Sequence, residues 1–347
     1  MRYSLSGGTS SAARTVRPPV EVRAFTAQDE AAVLRVLQAA FGRWPQGISD
    51  ITPSEFFRWK HMTGPLGPST LLVAEIQGEV TGVAGYMPWR FHARGRVLKA
   101  MRGVDFAVDP GHQRSGTSMA IRAAASFPGD FAFIWSNPNA QSHVGGLKSG
   151  RHHVGALPRF LRPRRRLLGA PGPSRGARSR TSARPPDVQA ETVCELLGGQ
   201  SHASSLGTGQ GSPDRLATVK DRDYLSWRYG HLAQYRAVSI GAGGEPGATA
   251  IFRLRRHGRF WVSHVCELFA GDDEPATVRE LIKRVGRAAP ADFISCNFPS
   301  RQHAARHGFL QQRGRTALMT YPLHGDLAPD PTRRDSWTLS LGDLELL

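Results

Sequence analysis

A short polar segment between two apolar runs carries the strongest chemical signal of the chain. Residues 109–118, with the sequence DPGHQRSGTS, follow a strand-like run and precede a run with helical spacing. A strand that turns tightly into a helix presents unpaired N–H groups at the helix N-terminus, where the helix dipole favours negative charge. The segment therefore predicts a phosphate site, at which Gly116 allows close approach and Gln113 or Arg114 supplies a side-chain donor. An ordinary surface turn is the alternative interpretation.

Asp105 is the candidate general base. It lies on the strand-like run before the loop, and strand alternation places its side chain on the opposite face from Val104 and Phe106. A carboxylate partly buried among apolar neighbours has a raised pKa, which suits a base. A structural Asp105, paired with an arginine such as Arg102, fits the same position. His143, in a later helix-like segment, is a second candidate catalytic residue.

The loop segment resembles the acyl-coenzyme A signature of the GNAT N-acetyltransferases, V-x-P-x-x-[QR]-x-x-G-x-[GA]. Four residues match its fixed positions and a small residue takes the last one, namely Val108, Pro110, Gln113, Gly116 and then Ser118. The resemblance implies acetyl-coenzyme A as the co-substrate and no metal. It also implies the residues that contact this donor, which are Phe106, Ala107, Val108, Gln113, Arg114, Ser115, Gly116, Thr117, Ser118 and Asn139.

The helix that begins near Asn139 departs from the family pattern N-A-x-x-x-x-x-Y-x-x-x-G-F. Gly146 stands where the family has its tyrosine acid, and Arg151 stands where it has phenylalanine. Asn139 fits either a contact to the pantetheine arm or a helix N-cap. The remaining candidates for protonating the thiolate are water and three histidines, namely His143, His152 and His153.

The family fold implies where the thioester lies. In GNAT folds the strand before the phosphate loop diverges from the next strand, and pantetheine lies in the split, where backbone N–H groups polarise the carbonyl. By position, residues 106–108 and 134–136 line this split. Four aromatic residues fit either an acceptor pocket or the core, namely Phe57, Trp59, Tyr86 and Trp89.

Hydrophobic periodicity predicts an α/β (α+β) fold with two tandem lobes. Each lobe has a mixed, mostly antiparallel central sheet flanked by helices. The expected order of the first lobe, β-α-α-β-β-β-α-β-α, is the GNAT order. We expect a disordered tail at 1–18, an acyl-coenzyme A-binding lobe at 19–162, an Arg/Pro/Gly-rich linker at 163–214 and a degenerate GNAT-like lobe at 215–347.

A faint internal repeat supports two lobes of one fold. Residues 223–229 (DYLSWRY) align with residues 55–61 (EFFRWKH), and the former tract also resembles one found in bacterial two-lobed GNAT proteins. Trp59 and Trp227 are the aligned aromatics and are expected in the core. The second lobe has the carboxylates of residues 272–274 where the first has its loop, so one donor site is expected.

Composition limits the partners. The formal net charge is +17, but nine arginines and no acidic residue lie between residues 159 and 186, in a Pro/Gly/Ser-rich stretch. Weak adhesion to polyanions is expected, but no specific nucleic acid. No apolar run reaches the ~20 residues that span a bilayer, so no membrane association is expected. Three scattered cysteines indicate a reducing, cytoplasmic setting.

The leading hypothesis is an N-acetyltransferase that moves an acetyl group from acetyl-coenzyme A to a small-molecule or peptide amine. One alternative is a tRNA-dependent aminoacyl transferase like the Fem enzymes, but such an enzyme has no need of a phosphate loop. The other is a non-catalytic binding protein on a GNAT frame, which the missing tyrosine favours.

Overall fold

The computed structural model describes residues 18–45, 51–164, 186–198, 214–242, 245–270, 275–312 and 316–344. Nearly all of the expected tail, most of the expected linker and the acidic residues 272–274 lie outside these ranges. The predictions about them stay predictions.

The first half of the chain forms the elements expected from its periodicity and two further strands. They are β1 (Glu21–Ala24), α1 (Glu30–Phe41), α2 (Pro53–Met62), β2 (Thr70–Ile76), β3 (Glu79–Ala93), β4 (Arg96–Val108), α3 (Thr117–Ala124), β5 (Phe133–Ser136), α4 (Ala140–Lys148), β6 (His152–Leu157) and β7 (Phe160–Pro163). The last two strands were not predicted.

The second half repeats much of this pattern. They are β8 (Glu191–Thr192), α5 (Val193–Gly198), β9 (Leu216–Thr218), α6 (Arg222–Leu225), β10 (Tyr235–Ala242), β11 (Glu245–His257), β12 (Phe260–Phe269), α7 (Pro275–Ala288), β13 (Phe293–Cys296), α8 (Arg301–Arg306), β14 (Leu310–Gln311), β15 (Thr316–Pro322), β16 (Trp337–Thr338) and α9 (Leu341–Leu344). Within the described ranges, no helix has the length and apolar character needed to cross a membrane.

Two mixed, mostly antiparallel sheets organise these elements, as predicted. The first has the order β1-β2-β3-β4-β5-β15-β6, and β9 and β16 extend it beside β3. The second has the order β14-β7-β13-β12-β11-β10-β8. The parallel pairs are β4 with β5 and β9 with β16 in the first sheet, and β12 with β13 in the second.

The two sheets exchange strands across the expected lobe boundaries. Strand β15 lies between β5 and β6 of the first sheet, although it comes from the second half of the chain. Strand β7 lies between β13 and β14 of the second sheet, although it comes from the first half. Each half therefore places a strand in the equivalent position of the other's sheet. Sequence spacing gave no indication of this exchange, because it follows from long-range pairing.

The aligned tracts of the internal repeat meet where the halves pack together. The indole rings of Trp59 and Trp227 stack with centroids 5.4 Å apart. Each indole N–H donates to the other residue's backbone carbonyl, at 2.9 Å from Trp59 and 3.2 Å from Trp227. Both tryptophans are buried, which confirms their assignment to the core. Such reciprocal contacts are those of a two-fold interface.

Candidate active site

A cavity of about 470 Å³ opens where β4 and β5 diverge. The two strands pair only between residues 100–103 and 133–136, after which the chain leaves the ladder on both sides. Residues of the second sheet close the far wall, with Arg253, Arg255 and His257 of β11 among them. The split that the family resemblance implied is therefore present, and the second half of the chain helps to enclose it.

A β-bulge shapes the wall of the cavity on β4. Val83 pairs with Ala107 and Gly85 with Val104, so the two residues between them on β4, Asp105 and Phe106, oppose one residue of β3. Asp105 has a positive φ of 47°, which is uncommon for a residue other than glycine. A bulge removes residues from regular pairing and redirects their side chains, and bulges are frequent beside active sites.

The bulge directs the Asp105 carboxylate onto α2 and away from Arg102. The Lys60 ammonium lies 2.7 Å from it and the His61 Nε2 lies 2.9 Å from it. On the other side, the Trp44 indole N–H donates to it at 3.2 Å. The side chains of Lys60 and His61 are at most 2% exposed, so this is a buried ion pair with two further hydrogen bonds.

The prediction of a raised pKa for Asp105 is wrong. Burial alone would raise the pKa, but the Lys60 charge and the hydrogen bonds from His61 and Lys60 outweigh it and hold the pKa well below its usual range. Burial lowers the pKa of both Lys60 and His61. Asp105 is consequently an ionised carboxylate at neutral pH and a weak base.

Sequence reasoning missed Lys60 and His61. A signal was available, because Lys60 follows Phe56 by four residues and so shares the buried face of α2. A capping box fixes the start of this helix, with the Thr52 side chain accepting from the Glu55 N–H and the Glu55 carboxylate accepting from the Thr52 N–H. A lysine on a buried helix face is expected to pair with a carboxylate, because lysine is almost never fully buried without a partner.

The segment that the sequence analysis assigned to a phosphate site turns tightly from β4 into a helix. After β4 a short 3₁₀ turn leads through Gln113 and Arg114 to Gly116, whose φ is 95°, and α3 begins at Thr117. Gln113, Arg114 and Gly116 are exposed. Ser115 instead holds the loop together, since its hydroxyl donates to the His112 carbonyl at 2.7 Å.

The predicted donor-binding residues divide into three groups. Phe106 and Asn139 line the cavity, while Ala107 and Val108 lie in the β3–β4 ladder and do not. The loop residues lie at the start of α3, outside the cavity lining. They are Gln113, Arg114, Ser115, Gly116, Thr117 and Ser118.

Arg122, near the end of α3, lines the cavity. Its guanidinium carbon is 3.9 Å from the Phe106 ring centroid. Of the split-lining residues predicted on β5, Ser136 reaches the cavity, while Ile134 and Trp135 are in the core. Asn139 caps α4, because its side chain accepts from the Ser142 N–H at 2.8 Å.

The predicted proton donors on α4 and β6 lie away from the cavity lining. His143 faces His153, with 3.0 Å between its Nε2 and the partner Nδ1. Neither is among the residues that line the cavity, although Ser142 and Gly146 of the same helix are. A Cβ on Gly146 would lie 3.0 Å from two atoms of the Met319 side chain, so a larger residue here would displace Met319.

Tyr86 is a phenol in the cavity that sequence reasoning assigned only as a possible lining aromatic. It is 1% exposed, and within the described residues its hydroxyl has no hydrogen-bond partner. Tyr86, Ala84 and Gly82 alternate along β3, so they share one face of the strand. A Cβ on Gly82 would contact Thr117 of α3, so this face of β3 is the one that α3 covers. Phe57, Trp59 and Trp89 do not line the cavity.

Comparison with known proteins agrees with this geometry. The profile of the acetyltransferase (GNAT) domain family matches residues 21–125. No curated protein sequence matches the chain.

Solved structures resemble the chain over most of its length. A probable N-acyltransferase from Enterococcus faecalis V583 has a TM-score of 0.55 at 10% identity, covering 88% of this chain and 73% of that one. A GCN5-related N-acetyltransferase from Anabaena variabilis has a TM-score of 0.56 at 11% identity, with the same coverage. One from Kribbella flavida has a TM-score of 0.54 at 18% identity, covering 89% of this chain and 72% of that one. Residues 21–125 thus match the GNAT acetyltransferase domain, and the chain shares its two-sheet fold with GCN5-related N-acetyltransferases.

Proposed function

We propose that the chain is an N-acetyltransferase that moves an acetyl group from acetyl-coenzyme A to an amine. One observation carries the proposal: the phosphate loop, the β4–β5 split and the β4 bulge lie in series along a single strand–loop–helix unit. A donor with phosphates at one end and a thioester at the other requires this series of sites.

The α3-covered face of the first sheet is the donor side. The start of α3 suits the pyrophosphate, because Gly116 and the side chains of Gln113 and Arg114 are exposed there. The pantetheine arm then passes Phe106 and Asn139, which line the cavity. Arg122 packs on Phe106 and contributes a further hydrogen-bond donor between the loop and the cavity.

The bulge supplies the means to polarise the thioester carbonyl. Asp105 and Phe106 have no partner in the β3–β4 register, so their backbone N–H groups are not committed to regular pairing there. A backbone N–H preorganised beside a reacting carbonyl stabilises the negative charge that develops on oxygen. In the proposed reaction the amine nitrogen attacks the carbonyl carbon and the C–S bond breaks.

The acceptor amine must be neutral to attack, and the charges of the cavity favour that form. Several arginines and Lys60 line the cavity, and like charges together with desolvation lower the pKa of an ammonium group brought among them. The amine therefore releases its proton to water without a strong base. Asp105, which stays ionised, accepts a hydrogen bond from the amine and orients it.

Tyr86 is the proposed proton donor to the leaving thiolate. Its hydroxyl is buried in the cavity wall on the donor side, and no described residue accepts its proton. The thiolate takes this proton and the phenolate regains one from the water that received the amine's proton. The products are an N-acetyl amide and free coenzyme A.

Calorimetric titration with acetyl-coenzyme A tests the proposal through Gly116→Glu. A carboxylate at this position repels the pyrophosphate, so we expect micromolar binding by the wild type and at least tenfold weaker binding by the variant. Gly95→Glu is the matched control, because Gly95 also has a positive φ, is exposed and leaves open space within 4 Å of the position that a Cβ would take.

Three results contradict parts of the proposal. Absence of binding by the wild type rejects acetyl-coenzyme A as the donor. Equal loss in the Gly116 and Gly95 variants shows that backbone strain, not the phosphate site, is responsible. Binding without thiol release in the presence of any amine favours the non-catalytic alternative.

A further inference from the structure

The charges of the cavity are unbalanced. Among the described residues that line it are six arginines, namely Arg102, Arg122, Arg151, Arg159, Arg253 and Arg255. Asp105 is the one carboxylate in that lining, and it is already paired with Lys60 and His61. A site of this kind attracts anions and repels cations.

Arg102 is the clearest binding group for an anion. Its guanidinium packs against both the Trp89 and Trp135 rings, with the central carbon 4.9 Å and 4.3 Å from their centroids. The residue is 2% exposed and lines the cavity. One terminal nitrogen reaches Asn137 at 3.4 Å, a marginal hydrogen bond, and the other has no partner among the described residues.

Burial of Arg102 disfavours its charged form. Burial lowers the pKa of Arg102 to about 9, although more distant acidic groups, Tyr224 and Asp343 among them, offset part of that effect. A buried guanidinium with an unused N–H is satisfied by a carboxylate or phosphate, whose oxygens match its planar donor geometry.

We infer that the acceptor is an amine that also carries an anionic group, a carboxylate or a phosphate, and that Arg102 binds this group. The inference rests on the proposed function, because it names the acceptor of the same site. It adds a substrate class that the motif and the fold leave open.

The geometry separates this anion from the phosphates of the donor. Arg122 and Arg151 belong to the donor side, since Arg122 stacks on Phe106 and Arg151 lies 3.6 Å from a Cβ built on Gly103. Arg102 and Asp105 lie on the opposite side, against the tryptophan core and α2.

The spacing on β4 sets the length of the acceptor. Arg102 precedes Asp105 by three residues, so their Cα atoms lie at most about 10 Å apart on a strand that bulges at Asp105. An amine that is oriented by Asp105 and an anion that is bound by Arg102 are therefore separated by several bonds.

A matched set of linear amines tests the inference. Thiol release from acetyl-coenzyme A is measured with ω-amino acids from 3-aminopropanoate to 8-aminooctanoate. Each is compared with its neutral ω-amino amide and with the diamine of equal chain length, and ω-aminoalkyl phosphonates separate phosphate-like from carboxylate ligands. We expect kcat/KM for the anionic members to exceed that for their amides and diamines at least tenfold, with an optimum at the longer chains.

Variants connect this preference to the residues. Arg102→Gln is expected to abolish the preference for anionic amines while acetyl-coenzyme A binding changes less than threefold. Arg255→Gln, at a half-buried position, is expected to reduce it and guards against misfolding of the Arg102 variant. Arg256→Gln is the matched control, because Arg256 is exposed on the same strand and does not line the cavity.

The outcomes separate this inference from the proposed function. If acetyl-coenzyme A binds but the amides or diamines react as well as the acids, or react while no anionic amine does, the inference is wrong and the proposed function stands. If the Arg102 and Arg255 variants lose acetyl-coenzyme A binding instead, the arginines serve the donor and the inference is again wrong. If the wild type does not bind acetyl-coenzyme A, the proposed function fails, and ligand-induced thermal shifts with the same acid and amide pairs decide the inference.

Discussion

Asp105 joins the backbone distortion of β4 to the charges of α2. Its positive φ is a strained conformation that persists only where the surroundings compensate for it, and here Lys60, His61 and Trp44 all hold its carboxylate. A buried ion pair of this type contributes little net stability against an apolar pair, yet its disruption leaves an uncompensated charge. The arrangement therefore fixes the shape of the bulge at a modest net gain in stability.

Replacing Asp105 by asparagine is expected to destabilise the fold by about 3–5 kcal/mol at pH 7, because Lys60 then lies buried without its counter-charge. The pH dependence follows from the lowered pKa of Asp105. A carboxyl group whose pKa is lowered by folding stabilises the fold above its unfolded pKa, here about 3.8. This stability is lost as the pH falls toward the pKa of the folded state. The difference in urea unfolding midpoint between wild type and variant should therefore shrink below about pH 4.

His61 provides an internal check on that experiment. Its pKa is lowered by burial, so the wild type and the Asp105→Asn variant should both lose stability as the pH falls below about 6.5, where the unfolded imidazole takes up a proton. A midpoint difference that stays constant from pH 7 to pH 3 would show that Asp105 contributes no ionised-state stability.

Tyr86→Phe tests the proton donor by removing a hydroxyl that has no partner among the described residues. Loss of a general acid costs up to 10²–10⁴-fold in rate, but a thiolate is a good leaving group, so a reduction in kcat of about tenfold is expected. The binding of acetyl-coenzyme A and the unfolding midpoint should change little. Steady-state kinetics with thiol detection measures kcat, and an unchanged kcat across pH 6–9 would exclude Tyr86 as the donor.

At the scale of the elements, local chemistry explains what the sequence could predict. The Gln77–Gly78 turn joins β2 to β3, and both residues have positive φ, which glycine adopts readily. The start of α2 follows from its capping box, and the turn before α3 follows from Gly116 between a strand and a helix. These features depend on residues close in sequence, so they were predictable.

Long-range features of the site were not predictable in the same way. The pKa of Asp105 depends on α2, which lies more than 40 residues earlier in the chain. The Asp105–Phe106 bulge is visible only in the register with β3. The contact of Arg102 with Trp89 and Trp135 depends on the packing of three strands. Sequence periodicity therefore located the strand that carries the chemistry, but not the groups that tune it.

At the scale of the whole molecule, the second half of the chain is part of the first sheet. Strand β15 lies between β5 and β6 and pairs with both of them. The buried hydroxyl of Thr320 on β15 also donates to the Ile134 carbonyl. A buried network joins the C-terminal helix α9 to the second sheet, with Lys220 binding Glu267 at 2.6 Å and Asp343 at 3.3 Å. Each half therefore completes the sheet of the other.

This exchange predicts the behaviour of the chain when it is divided after residue 205. Residues 1–205 leave β5 and β6 with exposed edges, and residues 206–347 leave β13 and β14 without β7. Exposed edges favour aggregation, so each fragment expressed alone should be insoluble. Co-expressed fragments should purify as a 1:1 complex that binds acetyl-coenzyme A, as measured by light scattering and calorimetry.

Appending single strands to residues 1–205 makes the test specific for the exchange. Addition of residues 316–322 through a flexible linker restores the missing neighbour of β5 and should raise the soluble fraction several-fold. Addition of residues 235–242, which form β10 of the other sheet, is the matched control and should have no effect. If residues 1–205 alone are soluble, monomeric and unfold cooperatively, then β15 is an accessory strand and the two halves are independent domains. If they fold only with β15, the donor site in the first sheet depends on the second half of the chain, and that half then has a structural role that requires no phosphate loop of its own.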